Sequence, residues 1–297
     1  MLRHLSPERI NPSRVVIIGA GGFVGGAIRE RLDLAKIGVL PLTRSDIDLQ
    51  APDAAKRLRA YLLPGDAIVA VAARAPCRNL DMLIENIRIT KTIVDAIKDA
   101  PISHVINISS DAVYGDEPVP IFEGTPMSPS TLHGVMHRAR EIAFQNEVGA
   151  PLAILRPTLL YGLADPHNGY GPNRFRRLAE AGKDIVLFGA GEERRDHVWI
   201  EDLAEIVVRT LMRRSVGGLN VASGEVYSFR AIAELVVEAS ARQVAIVETP
   251  RNGPMPHNGY RPFEISAVKA AFPDFDYVKL PAGIRGLAGA DGTMTHG

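Results

Sequence analysis

The chain of 297 residues contains a single cysteine, Cys77. An intrachain disulfide is therefore excluded, and a lone thiol fits a reducing compartment. Charge of either sign is not in excess, because 34 Lys and Arg stand against 34 Asp and Glu. No overall field favours nucleic acid or an anionic membrane, and neither is expected as a partner. Long apolar runs are missing too: none could span a bilayer, and residues 1–13 lack the apolar stretch of a signal peptide. A soluble cytoplasmic protein is the expectation. No internal repeat is seen, and the length suits one large α/β domain, alone or with a smaller appendage.

What the chain does have is a β-branched run, Val15-Val-Ile-Ile18, leading directly into glycines at 19, 22 and 25 and then into a helix-forming segment. Residues without Cβ let a strand turn sharply, so that a pyrophosphate can sit on the helix N-terminus. Glycines alone are a weak signal; the strand before and the helix after give this pattern its value. A tight turn without a ligand is the plain alternative. Strand-like and helix-like segments then alternate. Strands are expected at 15–18, 38–42, 67–72, 104–108 and 152–155, and helices at 25–34, 53–63, 81–99 and 134–147. The helix at 81–99 carries apolar residues at Ile84, Ile87, Val94 and Ile97. Such alternation implies a parallel sheet covered on both faces. Residues 161–194 are rich in Gly, Pro, Asn and Asp, as substrate loops are. Helices at 200–213 and 229–241, a long loop at 250–262 and a loose tail at 282–297 complete the reading.

Motifs follow one another along this frame. They are Gly19-Ala-Gly-Gly22-Phe23-Val24-Gly25, the pair Ala72-Ala73, and Ile108-Ser109-Ser110-Asp-Ala-Val-Tyr-Gly115. Next come Leu155-Arg-Pro157-Thr158-Leu-Leu-Tyr-Gly162, Phe188-Gly-Ala-Gly-Glu-Glu-Arg-Arg195-Asp-His-Val-Trp-Ile-Glu-Asp202 and Gly218-Leu-Asn220-Val-Ala-Ser-Gly224. From Val15 to about Phe275 the series resembles the extended short-chain dehydrogenase/reductases, a group of nucleotide-sugar epimerases, dehydratases and ketoreductases. The resemblance implies a Rossmann-type doubly wound parallel sheet with a smaller C-terminal substrate lobe. The NAD(P)-binding domain would comprise 1–162 plus about 191–222, and the substrate lobe about 163–190 plus 223–281. It further implies hydride transfer at a carbon of a nucleotide-linked sugar, and a homodimer built on helices 82–99 and 134–148.

At the chemistry the chain departs from the family, whose Tyr-x-x-x-Lys pair is replaced. The segment Pro129-Ser-Thr-Leu-His133-Gly-Val-Met-His137 puts His133 at the tyrosine position and His137 at the lysine position. Three readings stay open. An imidazole exchanges protons near neutrality without help, so His133 suits acid/base work, with His137 one turn on facing a ribose hydroxyl. Alternatively the site is chemically weak, and the protein binds a dinucleotide or sugar nucleotide without converting it. Histidines at i and i+4 can also share a metal, but no third ligand stands at a recognisable spacing, and no metal is expected. By resemblance Ser110 polarises the reacting oxygen, or in the plain reading it bonds local backbone. Tyr114 belongs to the pocket wall. A dehydratase fits less well, since Ser110-Asp111 is followed by Ala112 rather than an acid.

Thr43 and Arg44 stand where NAD-using relatives carry a carboxylate for the ribose diol. A threonine cannot hold both hydroxyls, and Arg44 can pair with a 2′-phosphate, which favours NADP over NAD. Arg44 stacking on adenine or facing solvent is the alternative. Asp48 and Leu49 resemble the pair flanking the adenine. Ala72, Ala73, Arg74 and Ser109 would line the pyrophosphate and nicotinamide side, with Pro157 and Thr158 opposite. At the substrate end the resemblance points to Asn173 and to Arg195 as a diphosphate ligand, with an ion pair to neighbouring acids as the other reading. Either Arg251 or Arg261 is expected at a second phosphate, and Asp202 is expected to cap the helix that follows it.

Overall fold

The computed structural model of the chain describes residues 1–288. Six parallel strands form the main sheet: β1 (Val15–Ile18), β2 (Val39–Leu42), β3 (Ala67–Ala70), β4 (His104–Ile108), β5 (Leu152–Pro157) and, late in the chain, β9 (Gly217–Val221). Their order is β2-β1-β3-β4-β5-β9. The chain moves outward from β1 to β2 and then crosses back to β3 on the other side of β1. That reversal opens a crevice at the carboxyl ends of β1 and β3, where α/β sheets bind ligands. Helices cover both faces, which is why the strands read as continuous apolar runs. On one face α1 (Phe23–Leu34) packs with α6 (Ile200–Met212), and α8 (Ser266–Ala271) joins that core. On the other lie α2 (Ala54–Tyr61), α3 (Leu80–Ile97) and α4 (Leu132–Glu147).

Polar caps fix where several helices begin. The Asn79 side chain accepts from Met82 N–H at 2.9 Å for α3, and Thr131 accepts from Gly134 N–H at 3.1 Å for α4. Each such cap satisfies a donor left over by the first helical turn. Asp202 is not a cap: it sits inside the first turn of α6, and its carboxylate accepts from Val278 N–H at 2.9 Å. It ties that helix to the segment before the last one.

A second group of elements forms its own apolar cluster around Tyr161, Phe175, Trp199 and Phe229. It includes β6 (Leu159–Tyr161), α5 (Pro172–Glu180), β7 (Ile185–Phe188), β8 (Arg194–Trp199), β10 (Val226–Ser228), α7 (Phe229–Ala239), β11 (Ile246–Thr249), β12 (Tyr260–Arg261) and α9 (Leu280–Ala288). Strand β8 pairs with β6, β10 and β12, and β7 pairs with β11. Two expectations are corrected here. The loose tail expected from residue 282 is helical to Ala288, because Leu280, Ile284 and Leu287 repeat at helical spacing and bury against α7 and β8; residues 289–297 lie outside the described residues. The loop at 250–262 ends in β12, which runs parallel to β8 with Arg261 opposite Arg195. On α3 it is Ile93, Val94 and Ile97 that bury, whereas Ile84 and Ile87 are exposed.

Candidate active site

The glycine loop turns as its sequence demands. Gly19 has φ of +101°, and a Cβ there would lie 2.7 Å from Ala72 N. A Cβ on Gly25 would fall 2.2 Å from Gly19 O, so Gly25 lets α1 pack on its own loop rather than touching a ligand. Gly22 is different: no protein atom lies closer than 3.7 Å to a Cβ placed there, and as N-cap it puts no side chain over the start of α1. The first amides of α1 are thus left to an anion.

From this loop a cleft of about 1350 Å³ runs along the carboxyl ends of the strands. Gly19, Gly22, Phe23, Val24, Thr43, Arg44, Asp48 and Leu49 line one end, and Ala72, Ala73 and Arg74 the floor. Ser109, Ser110, His133, His137, Pro157, Thr158, Asn173 and Arg195 line the rest. The Thr43 hydroxyl donates to Asp46 at 2.7 Å, so the carboxylate nearest the end of β2 is engaged locally. The backbone at Arg74 is clamped by buried Asn86, which accepts from its N–H at 2.7 Å and donates to its carbonyl at 3.0 Å.

Gly134 brings the histidines into the cleft. A Cβ at that position would lie 2.1 Å from Ala112 O, so glycine lets α4 rest directly on the turn after β4. His133 is thereby set beside Asp111, and its ring meets that of His137 edge to face at 4.7 Å between centroids. Cys77 N–H points at His133 Nδ1 at 3.4 Å, a long contact that leaves Nε2 for a ligand. Burial pushes the His133 pKa down, opposed by the Asp111 charge. His137 is held well below the usual range by burial, by His133 and by Arg140. Both rings are neutral at pH 7. Ser110 accepts from Ala112 N–H at 3.2 Å and faces Asp111 at 3.4 Å, which leaves its own hydrogen weakly held. Among the described residues no group of three His, Cys, Asp or Glu could hold a metal ion.

Several groups that shape the site were not singled out from the sequence. Arg140 is fully buried beneath His137; it donates to Asn107 Oδ1 at 2.6 Å, Ala72 O at 2.6 Å and Ala70 O at 3.0 Å. Spacing on α4 could have found it, since 133, 137 and 140 share a helix face. Glu141 receives Arg156 in a bidentate pair at 2.8 and 2.9 Å and also accepts from Ser109 Oγ at 2.6 Å. Arg156 continues to the Tyr114 hydroxyl at 2.9 Å, and Tyr114 to Asn220 at 2.9 Å. This buried network ties α4, β4, β5 and β9 together; the Ser109 hydroxyl and Tyr114 belong to it.

At the substrate end some expectations are corrected. Arg261 is 1% exposed and outside the cleft lining; it donates to the Asp111 carboxylate at 3.0 Å, to Asp111 O at 2.9 Å and to Gly115 O at 3.1 Å. The parallel pairing of β12 with β8 draws it under the turn after β4. Arg251 is outside the cleft lining and donates to Phe188 O at 3.0 Å. Asn173 lines the cleft, yet its amide accepts from Gly162 N–H at 3.0 Å and donates to Leu160 O at 3.3 Å. Thr158 donates to buried Asp196 at 2.8 Å. Arg195 pairs with Glu193 at 3.2 Å, as the ion-pair reading has it, and also lines the cleft.

A doubly wound parallel sheet with an uncapped glycine turn after β1 defines a Rossmann-type fold class. Residues 15–222 match the NAD dependent epimerase/dehydratase family, and the chain belongs to it. It is 30% identical over 253 residues to a putative GDP-L-fucose synthase of Oryza sativa subsp. japonica, covering 75% of this chain and 72% of that one. The GDP-L-fucose synthetase of Naegleria fowleri shares the fold with a TM-score of 0.84 at 19% identity, over 97% of this chain and 96% of that one; its NADP-bound form gives 0.82. A Thermus thermophilus UDP-glucose 4-epimerase in complex with NAD gives 0.79 at 22% identity, over 93% and 98%. Among the described residues no helix is long and apolar enough to cross a membrane.

Proposed function

We propose that this protein is an NAD(P)-dependent oxidoreductase or epimerase of a nucleotide-linked hexose, with His133 as its proton-transfer group. The observation that carries the reading is the packing of Gly134 on Ala112 O, which sets His133 within reach of the Asp111 charge, in the cleft that starts at the glycine loop and that Ser110 also lines. The residues fit a dinucleotide, since Gly22 leaves the α1 amides open and Gly19 closes the loop onto Ala72. When bound, that cofactor supplies the hydride chemistry. Ser110 donates a hydrogen bond to the reacting sugar oxygen, which stabilises developing negative charge there. His133 moves the proton at the same oxygen, and His137 faces the ribose beside it. The glycine-loop amides hold the pyrophosphate. Exposed Arg44 beside an engaged Thr43 supports NADP over NAD, through a 2′-phosphate. Fold neighbours include both an NADP-bound and an NAD-bound protein.

The elements around Phe175 and Phe229, roughly 163–190 and 223–281, form the lobe that covers the sugar nucleotide, with Arg195 at its diphosphate. Ile84 and Ile87 on α3, and Val135 and Ile142 on α4, expose apolar surface on two helices that pack together, which supports a homodimer through that face. The test of the catalytic reading is His133→Ala. Turnover of UDP-, GDP- and dTDP-hexoses and their 4-keto derivatives, followed by cofactor absorbance, is expected to fall by about 10²–10⁴-fold. NADPH affinity, read by fluorescence, should stay within a few-fold. A wild-type protein that binds NADPH and converts none of these compounds would instead be a binding module.

A further inference from the structure

We infer that His257 and Asp116 form a second proton-transfer dyad at the sugar end of the cleft, separate from the His133–His137 pair. The inference rests on the nucleotide-sugar reading above. His257 lies in the short 3-10 turn Pro256–Gly259 ahead of β12, and its ring lines the cleft together with Ser110 and Arg195. Its Nδ1 is 2.5 Å from Asp116 Oδ1 and 3.0 Å from Arg261 Nη1. That guanidinium nitrogen also donates to Gly115 O at 3.1 Å and to Asp116 Oδ1 at 3.3 Å. The Asp116 carboxylate is the nearest neighbour of Nδ1 and needs a donor, so the proton between ring and carboxylate is assigned to Nδ1, and Nε2 carries a lone pair. Among the described residues Nε2 has no protein hydrogen bond. A carboxylate behind one imidazole nitrogen, with the other open to a cleft, is the arrangement that orients a general base.

The backbone supports a specific placement. His257 has φ of +52° and Asn258 φ of +51°, a left-handed conformation that side chains other than glycine rarely adopt. His257, the first of the two, lines the cleft, and strained backbone collects at functional sites. Four charged groups face the ring. Burial, Arg195 and Arg261 lower its proton affinity, while Asp116 and Asp111 raise it, and the result lies below the usual histidine range. The ring is neutral at pH 7 and can accept a proton.

The charge of Asp111 acts on both His133 and His257, and Ser110 is hydrogen-bonded to Asp111. Both imidazoles line the cleft that Ser110 lines. Oxidation or reduction of a single sugar carbon uses one proton-transfer group, which His133 supplies. A second base in the same cleft suits removal of a proton from the carbon next to a sugar ketone. In that step the Nε2 lone pair takes the proton, and the C–H electron pair becomes the carbon–carbon double bond of an enolate. The ketone oxygen gains the negative charge and accepts from Ser110, while Asp116 stabilises the imidazolium. Return of that proton, or of one exchanged from solvent, to the carbon restores the ketone.

The experiment is deuterium uptake in D2O, read by mass spectrometry, with the 4-keto-6-deoxyhexoses of UDP, dTDP and GDP as probes. Wild type, His257→Asn and Asp116→Asn are compared, asparagine being chosen at 257 because it tolerates positive φ. Uptake by the wild type, slowed on the order of 100-fold in H257N, is the expected result. D116N should slow it as well and move the midpoint of the acid limb in the pH profile, which a purely structural contact would not do. Unchanged NADPH binding shows that both variants fold. Uptake by H257N at the wild-type rate overturns the dyad. So does a wild type that turns these probes over with NADPH without incorporating deuterium, and this leaves the oxidoreductase reading intact. A wild type that neither exchanges nor converts any of them overturns both.

Discussion

Replacing His137 by lysine should destabilise this chain, and Arg140 is the reason. The Arg140 guanidinium is 1% exposed, and its partners are an amide oxygen and two backbone carbonyls rather than a carboxylate. Burial pushes its pKa down to about 10, so it stays charged at neutral pH. His137 precedes it by three residues on α4, which puts the two Cβ atoms about 5–6 Å apart on one helix face. Two positive charges about 6 Å apart repel by about 3 kcal/mol at an effective dielectric of about 20. Neutral histidine avoids that term. A double-mutant cycle isolates it from the other costs, with His137→Lys, Arg140→Met and the double variant unfolded in urea at pH 7. Each single change should destabilise, the second because it leaves buried acceptors unpaired. The double variant should be less destabilised than the sum by about 2–3 kcal/mol. Additivity within about 0.5 kcal/mol would refute the electrostatic account of why an imidazole stands at 137.

Arg44→Ala should weaken NADPH binding by about ten- to a hundredfold, as expected for loss of a charged hydrogen bond, and leave NADH unchanged; fluorescence titration with both cofactors decides, and an equal loss for the two refutes the 2′-phosphate assignment. Acid should destabilise the fold through His104, whose pKa burial lowers to about 4 while Nε2–H donates to Ser215 O at 2.7 Å. The unfolded chain binds this proton first, so stability present above about pH 6.5 is lost as the pH falls toward 4, by about 3 kcal/mol in all. His104→Gln should shrink the difference between urea midpoints at pH 7.5 and 4.5; an undiminished difference would assign the loss to other groups.

The strands and the glycine turn were legible because their causes are local. Val15–Ile18 is apolar on both faces since helices cover both, and Gly19 must adopt a φ that other residues resist. The position of the histidine pair was legible for the same reason, through four-residue spacing on one helix. Arg261 was misread because its partner Asp111 lies 150 residues away, and nothing within the Pro-rich loop announces that β12 will pair with β8. Ile84 and Ile87 show a related limit, since helical periodicity counts apolar residues without saying what covers them. His257 stood in a loop already marked as functional. Arginines drew attention there because phosphates were expected, whereas Asp116, which gives the imidazole its role, is 141 residues away.

The arrangement of charge favours neutral rings at the two positions where imidazoles replace a phenol and an ammonium. Glu141 is matched by Arg156 and Asp111 by Arg261, so the nearest carboxylates are each neutralised by a buried guanidinium. Arg140 has no such counter-charge among its hydrogen bonds and lies under His137. A positive charge with no carboxylate among its hydrogen bonds therefore acts on the His137 ring, which burial already favours as neutral. A lysine at 137 would place a second cation there, while a histidine supplies ring nitrogens without adding charge. At 133 burial disfavours a lasting imidazolium while the Asp111 charge favours it. On the role proposed for His133, burial of the ring favours giving the proton back, and in a reversible transfer that return is as necessary as the abstraction.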